Sequence, residues 1–226
     1  MRSAKRIGQT IGILIFVQLV CGLLVSFVFL SPLTERLGFL ENAAGSSLQL
    51  SMAVVLWFVA GALSIAIAVT AWPIFSRYSS AMALWFLSLA VASFSLFAVE
   101  NATVMSMLSL SQAYAAEATP DQALFKAMGT VVRSAYVWVG NTSALVAEAL
   151  ILLHYWILYR FALVPRALSA FGLVAVLMKI IGIAMPFFGY GVVMLMVLPM
   201  VLGYVALALW LMAKGFEDRP DPLANQ

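Results

Sequence analysis

Charge is scarce in this chain: 9% of its 226 residues are Asp, Glu, Lys or Arg, where a soluble domain carries about 25%. That scarcity leaves no separate soluble domain and no basic patch on a soluble face for nucleic acid. There is one cysteine, Cys21, which excludes an internal disulfide and a thiolate metal cluster; within an apolar run it reads as small core packing. The one histidine, His154, has no second His or Cys beside it, so the ligand set for zinc or haem is missing. Its neighbours Tyr155 and Trp156 give it an interfacial setting that needs no ligand. No metal or other cofactor is expected, and no nucleophile with a matching base marks a catalytic residue.

Apolar sequence is what the chain has in excess. Hydrophobic residues make up 65% of it, gathered into runs long enough to cross a bilayer. The predicted fold is all-α, a polytopic transmembrane helix bundle forming a single integral membrane domain. Its six spans fall at about 7–30, 48–73, 81–112, 131–159, 168–188 and 192–213, followed by a short tail over 214–226. The third span is overlong for a bilayer, so it tilts or extends past it. Two loops are polar. Residues 31–47, with Pro32, Glu35, Arg36 and Glu41, have the pattern of a short interfacial helix over Leu33, Leu37 and Leu40; residues 113–126 hold Glu117, Pro120, Asp121 and Lys126.

The basic residues set the expected orientation. Arg2, Lys5, Arg6, Arg77, Arg160, Arg166, Lys214 and Arg219 fall on one side of the predicted topology, against Arg36 and Lys126, with Arg133 close to that second surface. This positive-inside bias places both termini in the cytoplasm. Arg2, Lys5 and Arg6 before an apolar run also resemble a signal peptide, but the run continues from Ile7 to Leu30 with no Ala-x-Ala site after it, so it reads as a retained anchor.

Several short motifs lose their meaning once placed on this topology. Asn101-Ala-Thr103 and Asn141-Thr-Ser143 match the glycosylation pattern but lie within predicted membrane helices. Gly8-x-x-x-Gly12 has the spacing that lets helices approach closely, and at the start of the first span it reads as close packing within the chain. Trp72-Pro-Ile-Phe-Ser-Arg77 and Trp156-Ile-Leu-Tyr-Arg160 look like a repeat; an aromatic belt followed by inside arginines produces the same pattern without shared ancestry. Pro199 lies within the sixth span, where a kink is expected.

Three charges interrupt the apolar helices: Glu100, Glu148 and Lys179. Ionisable groups at that depth face a bundle interior, pair with each other or line a pathway. On the fourth helix Arg133, Asn141, Glu148 and Tyr155 share one arc of about 80° at ~100° per residue. On the fifth, Gly172, Ala175, Lys179, Gly182 and Pro186 share a face, and on the third Ser93, Glu100, Thr103, Met107 and Ser111 line up. The short loop between the fourth and fifth spans makes them antiparallel neighbours, so Glu148 with Lys179 is the expected ion pair. Glu100 is expected to share the lysine, with Asn101 or Asn141 as hydrogen-bonding partners. The candidate ligand or ion site is therefore Glu100, Glu148, Lys179, Asn141, Asn101 and Arg133. A Schiff-base role for Lys179 finds no support, since six spans do not resemble the seven-helix retinal proteins.

Leu163-Val-Pro-Arg166-Ala-Leu-Ser169-Ala-Phe-Gly172 and Ala208-Leu-Trp-Leu-Met-Ala-Lys-Gly-Phe216 resemble the bacterial membrane family called domain of unknown function 4386, and Arg6-Ile-Gly8 and Arg77-Tyr-Ser79 are in keeping with it. The resemblance implies an uncharacterised multi-pass protein of the bacterial cytoplasmic (inner) membrane and supplies no catalytic residues. Beside it stand three readings of the buried charges. The first is a site that binds or translocates a small solute, ion or proton, for which a pathway at this size requires a homo-oligomer. The second is an accessory or sensor subunit in which the polar network only fixes helix register. The third is an intramembrane enzyme on a lipid-like substrate with Glu148 or Glu100 as acid or base. The lipid bilayer is the one partner common to all three.

Overall fold

The structure, a computed structural model, describes residues 4–30, 38–117 and 121–217. Among them six helices are long and apolar enough to cross a membrane: α1 Ala4–Leu24, prolonged by a π-helical turn to Phe29, α2 Ser47–Tyr78, α3 Ser80–Ala116, α4 Gln122–Arg160, α5 Arg166–Ala184 and α6 Met194–Lys214. The chain is a multi-pass helical membrane protein. At ~1.5 Å rise per residue, α2, α3 and α4, with 32, 37 and 39 residues, are about 48–58 Å long, well beyond the ~30 Å hydrocarbon core.

Local chemistry explains where the helices stop. Ser79 alone separates α2 from α3: its extended backbone breaks the helix, and its hydroxyl accepts from the Met82 N–H as a cap. Asp121 caps α4 by accepting from the Ala123 and Leu124 N–H groups, so α4 begins nine residues before the expected 131. That first stretch is helical without being apolar, and hydropathy therefore did not register it. α5 gives way to a 3-10 turn over Met185–Phe188, which ends on Gly189 at φ 84°. Gly215, at φ 72°, closes α6.

Each long helix packs on its neighbours in sequence, and α6 returns to α1, so the six form a closed ring. Six helices at the usual ~8–10 Å spacing leave a central space about as wide as a helix, which side chains must fill. The end that carries both termini is filled. Ile11, Ile15, Ala71, Phe75, Phe86, Tyr155, Leu207, Leu211 and Phe216 belong to one buried cluster drawn from all six helices and the residue just past α6, tightened by the ring contacts of Phe75 with Phe86 and Phe216. Gly8 and Gly12 let α1 lie directly on α6: a Cβ on Gly8 would collide with the Phe216 nitrogen, and one on Gly12 would stand 2.6 Å from the Met212 nitrogen. The close packing expected from these glycines is thus intramolecular. Gly215 meets the Lys5 backbone in the same way, and the Gln9 amide donates to the Met212 carbonyl.

The far end is built differently. A second cluster, with Val25, Phe39, Leu40, Leu50, Ala53, Met107 and Phe125, joins α1 to α4 and draws nothing from α5 or α6. Within it the short helix Phe39–Asn42 is docked on the bundle: Phe39 and Leu40 are buried, and the Ser111 hydroxyl donates to the Leu40 carbonyl while accepting from the Ala44 N–H. The expected interfacial helix is described only from its end, since Leu33, Leu37, Pro32, Glu35 and Arg36 lie outside the described residues, as do Arg2, Pro120, Arg219 and most of the tail.

Candidate functional site

Lys179 on α5 reaches Glu148 on α4, with Nζ 2.5 Å from Oε1. Small residues on either side of the lysine bring α5 close to both of its neighbours. On α5, Gly172 abuts the Tyr155 ring, where a Cβ would overlap it, and Gly182 lies against Val193 and Met196 of α6. Glu148 is 3% exposed and Lys179 22%, so the carboxylate sits behind the lysine in the wall and the ammonium faces inward. The second carboxylate oxygen of Glu148 and the buried Tyr155 hydroxyl have no hydrogen-bond partner.

Counting ~1.5 Å per residue from the end that carries the termini places Gln18, Ser64, Ser93, Glu148 and Lys179 all about 18–21 Å deep. One polar layer thus crosses five of the six helices. On its α1 and α2 side, the Gln18 amide donates to the Ser64 hydroxyl at 2.6 Å and to the Ala60 carbonyl at 3.0 Å. Sequence reading passed over Gln18 and Ser64 because a single uncharged polar residue in an apolar run carries little signal.

Glu100 lies elsewhere. It points from α3 toward Gly140 and Ser143 of α4, beside Trp57 of α2, seven residues and about 10 Å beyond Ser93 toward the far end. It forms no ion pair with a described residue, so the lysine is not shared. Asn101 turns to α2, with its amide 3.5 Å from the Val54 carbonyl and its Oδ1 unpartnered. Asn141 is half-buried; on that turn of α4 Ser143 is the residue next to Glu100. Arg133 and Glu100 both lie within electrostatic reach of Tyr136. The six candidate residues therefore divide into a pair, Glu148 with Lys179, and a separate group around Glu100.

His154 departs from the expected interfacial setting. It is buried against Phe75 and Phe86, at ring-centroid distances of 6.1 and 5.2 Å, with Nε2 unpartnered. α4 continues only six residues past His154, but this face of the helix looks into the ring, so radial position and not depth decides its surroundings.

Above the filled end the central space stays open as a cavity of about 440 Å³. All six helices line it, and Lys179 is the one charged residue among its described walls. Ser93 and His154 also stand in its wall, with Oγ and Nε2 buried behind the surface and unpartnered among the described residues, and Trp57 stands there with its indole beside Glu100. The rest of the surface is mainly apolar, from Leu19, Ile67, Phe97, Met200 and their neighbours.

No curated protein and no solved structure matches the chain. A family described as a domain of unknown function (DUF4386) matches residues 10–215, from the second turn of α1 to the glycine that ends α6. The match takes in the whole ring, both halves of the ion pair and every wall of the cavity, and on that extent the chain belongs to the DUF4386 family.

Proposed function

We propose that this membrane protein binds a small molecule inside its helix ring, at the level of the Lys179–Glu148 pair. The observation that carries this reading is the Lys179 ammonium. It has three donors, it has Glu148 as its ion-pair partner, and it opens onto a cavity whose size suits small-ligand sites, which run to roughly 300–1,000 Å³. Of a solute, an ion and a proton, the apolar lining favours a solute. Binding is favoured over passage, since Phe75, Leu211 and Phe216, nearer the end that carries the termini than the cavity's walls, close the space below it. The ends of the helices support a placement in the bacterial inner membrane with both termini cytoplasmic. Lys5, Arg6, Arg77, Arg160, Arg166 and Lys214 gather at one end, and labelling single cysteines at Ser80 and Gly45 from either side of the membrane tests it.

Native mass spectrometry of the protein, extracted from its membrane in mild detergent, tests the binding. The expected result is a co-purifying small molecule that is lost from Gly22→Phe, which fills the cavity from α1. A wild-type protein that carries nothing, with Lys179→Met changing only the melting temperature, overturns the reading and leaves the pair as a register-fixing clamp of the kind an accessory subunit needs.

A further inference from the structure

We infer that the ligand is a neutral, lipid-soluble molecule bearing carbonyl-type acceptor oxygens, and that it reaches the cavity sideways from the bilayer, between the far halves of α1 and α6. The inference rests on the binding site proposed above and concerns what fills it and from where.

The shape of the opening gives the route. α1 and α6 are in backbone contact at the end that carries the termini, through Gly8, Gly12 and Gly215. Beyond that contact each packs on its other neighbour: Gln18 of α1 bonds to α2, and Gly203 and Met196 of α6 meet Phe171 and Gly182 of α5. The cavity lies where they part. Leu23 and Phe27 of α1 and Met194 of α6 both line it and face outward, Phe27 at 74% and Met194 at 71% exposure. An apolar rim on membrane helices opens onto lipid tails, not water. Counted at ~1.5 Å per residue, the walls run from Phe86 and His154, about 9 Å from the end that carries the termini, to Phe27, about 35 Å from it. The space is thus long and parallel to the helices, as lipid-soluble chains are.

Charge balance gives the ligand's neutrality. Lys179 is already matched by Glu148, and the nearest further residue that counts as charged at pH 7, Glu100, is acidic. With Glu100 charged the three sum to one negative charge, and with it neutral they sum to zero. Neither state offers the excess positive charge that an anion needs. A cation finds no unmatched carboxylate in the wall, and the charged group that opens onto the space is itself a cation whose remaining N–H bonds are donors. An acceptor with no charge, such as a ketone or quinone oxygen, answers these donors.

The test titrates purified protein with decylubiquinone, decanoate and decyltrimethylammonium, which share one chain length and differ in head charge, and follows tryptophan fluorescence, with Trp57→Phe assigning the cavity signal. Saturable quenching by decylubiquinone is expected, weakened about tenfold in the double variant Glu148→Leu/Lys179→Met, which removes the lysine donors without stranding a charge, the worth of one good hydrogen bond. In lipid nanodiscs half-saturation is expected to follow the quinone-to-lipid ratio. Saturable binding of decanoate or the ammonium compound in preference, or half-saturation that follows the aqueous concentration, overturns the inference. So does a co-purified molecule that proves charged; there the binding site stands and only its ligand class falls. If nothing co-purifies and no probe saturates, both fall.

Discussion

The two ends of the ring solve the same geometric problem in opposite ways. At the end that carries the termini, the central space is filled by aromatic and aliphatic side chains, and glycine brings α1 against α6. At the far end the core gathers to one side, among α1 to α4, and α5 and α6 contribute nothing to it. The cavity is what remains where a symmetric ring meets an asymmetric core. Its polar layer lies at the junction between the two arrangements, so the Lys179–Glu148 pair fastens α4 to α5 just where the filled half ends.

Substitutions at the junction are expected to have the largest effect. Glu148→Leu strands the Lys179 ammonium in an apolar wall and should cost about 3–5 kcal/mol, read as a lower melting temperature in detergent; adding Lys179→Met should restore most of it. A double variant as unstable as the single one would show that the pair is not the fastening. In the filled half, Gly8→Val forces α1 off the α6 backbone and should cost about 1–3 kcal/mol. Ser111→Ala unties the short helix Phe39–Asn42 by leaving the Ala44 N–H without its partner, a loss of about 1–3 kcal/mol that should appear as faster amide exchange at Ala44 before any global change. The smallest effect is expected at Gly22, the counterpart of Gly8 in the open half. Its Cβ position has only the Trp57 ring within 4 Å, at 3.7 Å, so Gly22→Ala should stay within about 0.5 kcal/mol of wild type. Equal penalties at Gly8 and Gly22 would erase the contrast between the two halves.

Much of this architecture was legible in the amino-acid sequence. Six apolar runs located six helices, and the short loop between Arg160 and Ala167 was enough to pair Glu148 with Lys179. Gly8 and Gly12 announced a close contact but not its partner, because nothing local in a sequence says which helix closes a ring. Glu100 was misjudged for a related reason. Placing the three charges together treats every helix as centred on one plane, whereas α4 begins nine residues before its apolar stretch. Residues such as Trp57 and His154 gained significance only from facing the interior. That property depends on the rotation of each helix, and spans apolar on every side do not reveal it.

The contact between α1 and α6 also bears on how the molecule is made. The Gln9 amide and the Met212 carbonyl are 203 residues apart in sequence, so the first leaves the ribosome long before the second. Until α6 is inserted, the other five helices can form only an open arc, with the polar layer facing lipid along its missing side. Closure of the ring therefore waits for α6, and whatever occupies the gap at that moment must be expelled or enclosed.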